Sequence, residues 1–209
     1  MSEGRPRLVV LVSGSGTNLQ AVIDACAQGQ LDATVAAVVS NVASAYALER
    51  AAAAGIPTVV LRHGGRDRAR YDQELADLVA GYEPDLVVLA GWMRILTGAF
   101  LSRHPTINLH PAQPGAFPGV GAIEAAFGAW QRGEVEAGGV MVHHVPDEGV
   151  DNGPVIVWEP VPLRPGDTLD AFTQRVHGVE HRLLVSAIAQ VLGTDLRRQA
   201  PPPAILPGR

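Results

Sequence analysis

The sequence predicts a single α/β domain built on a mostly parallel, twisted sheet flanked by helices. Three observations lead there. Short apolar runs rich in Val, Leu and Ile alternate with segments of helical character. The first four runs are apolar along their length rather than at every second position, as in strands covered on both faces. The rhythm then changes after Gly91, where the runs shorten and long Gly/Pro loops intervene.

The elements follow in order. RLVVLVS (7–13) reads as the first strand, followed by a helix over 17–28. TVAAVVS (34–40) is the second strand, with a helix through ASAYALERAAAAG that Gly55 stops. IPTVVL (56–61) is a third strand. ARYDQELADLVAGY is a helix whose apolar positions are Tyr71, Leu75, Leu78 and Val79. PDLVVLAG (84–91) is a fourth strand, and this half is Rossmann-like. Beyond it the pattern predicts a short helix over 95–102 and a short strand in PTINLHP. AQPGAFPGVGA, with two prolines and three glycines, is not regular structure. AIEAAFGAWQRG is helical. VMVHHV and PVIVWEPVPL are strands separated by PDEGVDNG, either an antiparallel pair or two strands with a long connection. The longest helix covers DTLDAFTQRVHGVEHRLLVSAIAQVLG, with Asp167 as N-cap and Gly193 at its end. Residues 1–193 form one domain. Residues 194–209 are a proline-rich tail with no fold of its own.

The chain has 209 residues, 47% apolar and 18% charged, which suits a globular domain with a large core. A net charge of −5 argues against a nucleic-acid partner. Cys26 is the only cysteine, so no internal disulfide can form; it reads as a small buried apolar residue in a reducing compartment. No apolar run approaches the ~18 residues of a membrane span. The opening MSEGRPR is no signal peptide, and a cytoplasmic location is expected.

Two stretches carry chemistry. VSGSGTNLQ (12–20) joins the first strand to the first helix. It fails the dinucleotide fingerprint because Leu19 stands at the third glycine position, and no Walker lysine follows. A Gly-rich turn with Thr17 and Asn18 at a helix N-terminus suits one phosphate, the alternative being a tight turn without ligand. In INLHP, Asn108 and His110 share a face of an extended strand. The amide can donate to a developing oxyanion, and the imidazole can shuttle a proton. PDEGVDNG offers Asp147, Glu148 and Asp151 as a carboxylate to orient the ring. No Ser or Cys nucleophile with a base partner is evident. His63, His104 and His181 read as surface residues. His143 and His144 point to opposite faces, so no metal site is expected. Trp130 and Trp158 read as packing residues.

VSGSGTNLQ, AGWMRIL, INLHP, GVMVHHVPDEGVDNGPVI and RVHGVEHRLL, in that order, give a chain that resembles the phosphoribosylglycinamide formyltransferase family from about residue 8 to 192. The resemblance implies transfer of a formyl group from 10-formyltetrahydrofolate, as co-substrate, to the amine of glycinamide ribonucleotide in purine synthesis. No metal is implied. Gly14, Ser15, Gly16, Thr17 and Asn18 then match the loop that holds the ribonucleotide phosphate, and Glu180 matches a glutamate on that substrate. Met93, Arg94, Ile95 and Leu96 match the segment along the pterin. Arg68 matches a folate-contacting arginine, with Arg66 and Arg70 close by. Pro146, Asp147, Glu148, Gly149 and Val150 match a loop along the folate pocket. Asn108 and His110 match the catalytic pair, with Asn108 also against the folate, and Asp151 the aspartate that keeps the imidazole protonated. Formyltetrahydrofolate hydrolase, which uses water, is the alternative; the phosphate turn and Glu180 favour a ribonucleotide. Monomer and homodimer are both open. The chain departs from many relatives at Ala112-Gln113-Pro114-Gly115, at Gly121 where a histidine is common, and in a loop between His143 and Asp151 that is one residue longer.

Overall fold

The computed structural model describes residues 4–194. The expected tail beyond Thr194 therefore lies outside the described residues. Among the described residues, thirteen elements follow one another in the predicted order. They are β1 (Arg7–Val12), α1 (Thr17–Ala27), β2 (Thr34–Ser40), α2 (Tyr46–Ala53), β3 (Thr58–Val60), α3 (Arg68–Ala80) and β4 (Leu86–Leu89). Then come α4 (Gly98–Leu101), β5 (Thr106–His110), α5 (Ala122–Gln131), β6 (Ala137–His144), β7 (Val155–Pro162) and α6 (Leu169–Leu192).

One seven-stranded sheet has the order β3-β2-β1-β4-β5-β6-β7. β1 to β5 run parallel, while β6 and β7 are antiparallel. The open alternative for the last two strands is thus resolved as an antiparallel pair. The unbroken apolar runs have a simple cause. Leu8, Val10 and Val12 of β1 pack on one face with residues of α1, α5 and α6, while Val9 and Leu11 pack on the other with Tyr71, Leu75 and Val79 of α3. Both faces are covered, so both sets of alternate side chains leave water.

Three local expectations are corrected. The helix expected over 95–102 begins only at Gly98, because the backbone before it is held in irregular form by side chains: Met93 N–H donates to Ser13 Oγ at 2.9 Å and Thr97 N–H to Asp72 Oδ2 at 2.6 Å. The N-cap of α6 is Thr168, whose hydroxyl accepts from Ala171 N–H; Asp167 instead accepts from Arg164 N–H and pairs with Arg175. Gly193 does close α6, in the left-handed conformation (φ 65°) that glycine adopts without strain. Among the residues read as surface or packing, His104 is buried, with Nε2–H donating to Ala76 O at 3.0 Å. His181 is half-buried. Trp158 is 47% exposed on β7, the edge strand of the sheet. Trp130 does pack, against Phe127. Among the described residues, no helix is long and apolar enough to cross a membrane.

Candidate active site

The strand order reverses between β1 and β4, and the loops leaving their C-terminal ends diverge there. Such a switch point opens a crevice in parallel sheets. Here it holds a cavity of about 620 Å³, lined from the 13–18 turn, residues 89–96, the end of β5, the 119–123 segment, the 145–151 loop and one face of α6. Four large apolar side chains that remain exposed, Met93, Ile95, Val120 and Val150, all line it. That much unpartnered apolar surface at one mouth is the mark of a ligand site.

At one end lies the 12–20 turn. Gly16 is the N-cap of α1, with φ 73°, and no side chain caps the helix. The first-turn N–H groups of α1 therefore remain available to an anion. Asn18 donates through Nδ2 to Glu180 Oε2 at 3.3 Å, which ties α1 to α6 across the cavity. Burial pushes the Glu180 carboxyl above its ordinary range, against the opposing pull of His177 and Asn18.

At the other end β5 delivers Asn108 and His110 on one face, as its alternation requires. Both meet Asp151, supplied by the loop between β6 and β7. His110 Nδ1 lies 3.3 Å from Asp151 Oδ2, and Asn108 Nδ2 donates to Asp151 Oδ1 at 2.9 Å. Gly119 N–H donates to Asp151 Oδ2 at 2.8 Å. His110 Nε2–H donates to Phe117 O at 2.9 Å, since a carbonyl can only accept. Burial pushes the Asp151 carboxyl up, but the neighbouring imidazoles of His143 and His110 and the hydrogen bond from the Gly119 amide outweigh it and hold the carboxyl below its usual range. The two partners of His110, Phe117 (φ 46°) and Asp151 (φ 51°), are both non-glycine residues with left-handed backbone. Such conformations cost of order 1–3 kcal/mol and collect at functional sites.

Sequence reasoning missed His143. It is buried opposite Asn108 in the antiparallel β5–β6 register. Its Nδ1–H donates to His144 O at 2.8 Å, leaving Nε2 to accept from Asn108 Nδ2 at 3.2 Å. The signal was present: pairing INLH antiparallel to VMVHHV sets one histidine beside the amide and the other outside, and His144 is indeed exposed.

A profile of the formyl transferase family matches residues 6–188. A phosphoribosylglycinamide formyltransferase of Schizosaccharomyces pombe is 46% identical over 200 residues, 88% of this chain and 96% of that protein. The chain belongs to the phosphoribosylglycinamide formyltransferase family. A second member, from Escherichia coli, is 45% identical over 179 residues, covering 84% of this chain and 82% of that one. Among solved structures, glycinamide ribonucleotide transformylase 1 from Geobacillus kaustophilus superposes with a TM-score of 0.83 at 39% identity, covering 90% of this chain and all of that one. The same-named enzyme from Symbiobacterium toebii gives 0.82 at 40% identity, over 90% and 87%. As a family member the chain is a formyl-transferring enzyme.

The cavity gathers most of the residues that the resemblance singled out: Gly14 to Asn18, Met93 to Leu96, Asn108, His110, Asp147, Gly149, Val150, Asp151 and Glu180 all line it. Three do not. Pro146 and Glu148 are exposed, and Arg68, at the start of α3, pairs with Glu148. Arg66 and Arg70 both pair with Glu74 on the helix surface. The departing residue Gln113 pins its loop to β6, donating through Nε2 to Ala137 O and Gly138 O, both at 3.0 Å. Gly121 is the N-cap of α5.

Proposed function

We propose that the chain transfers the formyl group of 10-formyltetrahydrofolate to the amine of glycinamide ribonucleotide in purine biosynthesis. The observation that carries this reading is one cavity with an uncapped helix N-terminus at one end and a buried Asn108–His110–Asp151 constellation at the other. The helix N-terminus suits the ribonucleotide phosphate, with Glu180 beside it. The strip of Met93 and Ile95, exposed beside backbone that is not paired in a strand, suits a flat ring with a polar edge.

The bound folate supplies the electrophilic formyl carbon. The substrate amine attacks that carbon, its bond to the folate nitrogen breaks, and one proton passes from amine to folate nitrogen. His110 carries that proton through Nε2, which exchanges the Phe117 carbonyl for the substrate. Asp151, 3.3 Å away, fixes the orientation of the ring. Asn108 and His110 then stabilise the negative charge that gathers on the formyl oxygen. One preorganised donor is typically worth about 3–4 kcal/mol. Both amide hydrogens of Asn108 are engaged, so the longer contact, to His143 at 3.2 Å, is the one it exchanges for the oxyanion.

Following folate absorbance with and without glycinamide ribonucleotide tests the reading. Release of tetrahydrofolate should require the ribonucleotide, and the product should carry the formyl group. Release at the same rate in water alone would make the enzyme a hydrolase and remove the phosphate assignment with it.

A further inference from the structure

The Met93 to Leu96 stretch forms one wall of the cavity, yet its backbone belongs to no strand or helix among the described residues. It is suspended between two side-chain oxygens. At its start, Met93 N–H donates to Ser13 Oγ at 2.9 Å, and Ser13 in turn donates to Asn41 Oδ1 at 2.7 Å. At its end, Thr97 N–H donates to Asp72 Oδ2 at 2.6 Å. The two anchors differ. Ser13 lines the cavity and is partly exposed, whereas Asp72 has 0% of its surface exposed and lies on α3, a helix that contributes no residue to the lining.

A fully buried carboxylate is expensive unless it is hydrogen-bonded, so its presence under an irregular segment needs a reason. The surroundings are unusually polar for a core. Six buried side-chain polar atoms lack a partner among the described residues, and four of them belong to this segment and its support: Asp72 Oδ1, Trp92 Nε1, Arg94 Nε and Thr97 Oγ1. Arg94 lies over the ring of Tyr71, the neighbour of Asp72, with its guanidinium carbon 4.8 Å from the ring centre. The backbone here is thus held by polar side chains rather than by a ladder.

We infer that Asp72 is a positioning residue for folate recognition: by accepting the Thr97 N–H it fixes the 93–96 backbone in the shape that meets the folate ring. This rests on the reading of that wall as the folate side. It acts through the segment and touches no reacting atom.

The test compares Asp72→Ala, which removes the acceptor, with Asp72→Asn, which keeps one oxygen for Thr97. Tetrahydrofolate binding is read by intrinsic tryptophan fluorescence, and KM and kcat are measured for both substrates. D72A should weaken tetrahydrofolate binding and raise the folate KM about tenfold, the loss of one charged hydrogen bond. Its KM for the ribonucleotide and its kcat should stay within about twofold, and D72N should restore most of the folate affinity. Should D72A fail to fold, Asp72→Leu, which fills the space without an acceptor, carries the same expectation. Equal rises in both KM values, or unchanged folate binding in a folded variant, would overturn the inference and leave the transferase reading intact. If the wild type binds no tetrahydrofolate, the reading of the wall fails and the inference falls with it.

Discussion

At the scale of single residues, the site is a problem of donors and acceptors. His110 has both ring nitrogens engaged, one by a carboxylate and one by the carbonyl of a strained residue, and its side chain is 4% exposed. That enclosure orients the ring but adds little binding surface for either substrate. His110→Ala should therefore lower kcat by about 10²–10⁴-fold, the usual range for general acid–base catalysis. Tetrahydrofolate affinity, measured by fluorescence titration, should change by no more than about threefold, well short of the factor of ten that one lost hydrogen bond gives. A parallel loss of affinity would mean that the ring binds rather than reacts. Residue types told much of this in advance. The Asn-x-His spacing implied a shared face, and the carboxylates of PDEGVDNG implied a partner. Local spacing could not say which carboxylate turns inward, because that depends on the left-handed backbone at Asp151. Cys26, read as buried, is partly buried against the core; burial pushes its thiol up to about 11, against the weaker pull of Arg5.

At the scale of elements, turns and caps decide where the chemistry can sit. Strands and helices were legible because their periods are local properties of the chain. The irregular 93–97 segment was not. Its apolar spacing fits a helix, and only Asp72, 25 residues earlier in sequence, competes for the Thr97 amide. His143 escaped for the same reason, since a strand register is a long-range fact. The 12–20 turn combines both kinds of information. Its glycines showed in the sequence, but the reason for Gly16 is tertiary. A Cβ there would lie 2.5 Å from Ala47 Cβ and 2.7 Å from Ala47 Cα, and φ is 73°. Ala47 is held against the turn by its own N–H, which donates to Gly14 O at 3.1 Å. Gly16→Ala should thus cost about 2–4 kcal/mol, combining left-handed strain with overpacking. Urea denaturation measures that loss. The same substitution should raise the KM for the ribonucleotide several-fold while leaving tetrahydrofolate affinity within about twofold, since the turn lies at the end of the cavity proposed to hold the phosphate.

At the scale of the whole molecule, the reversal of strand order sets the crevice, and the antiparallel return of β6 and β7 brings Asp151 back over β5. The alternating pattern of runs predicted a buried parallel sheet, and composition predicted a core large enough to cover both faces. What remains is how the last helix is fastened to this frame. Asp167, just before α6, accepts from both Arg175 Nη atoms, at 2.8 and 2.9 Å, and from Arg164 N–H at 2.8 Å. The hydrogen bond from Arg175 holds its carboxyl down at about 2, well below the usual carboxylate value, against a small opposing effect of burial. A carboxylate depressed in the folded state binds fewer protons there than in the unfolded chain between the two pKa values, so stability rises with pH across that window. The contribution is fully present above the ordinary value near 4 and is lost as pH falls toward about 2. Asp167→Asn should lower Tm at pH 7 by an amount that stays constant down to about pH 5. Below pH 4 the wild-type and variant curves should converge, because the wild-type carboxyl then protonates on unfolding. Thermal unfolding of both proteins from pH 3 to pH 8 measures this directly. A Tm difference that persists unchanged at pH 3 would assign the role of Asp167 to its shape and neutral hydrogen bonds rather than to its charge.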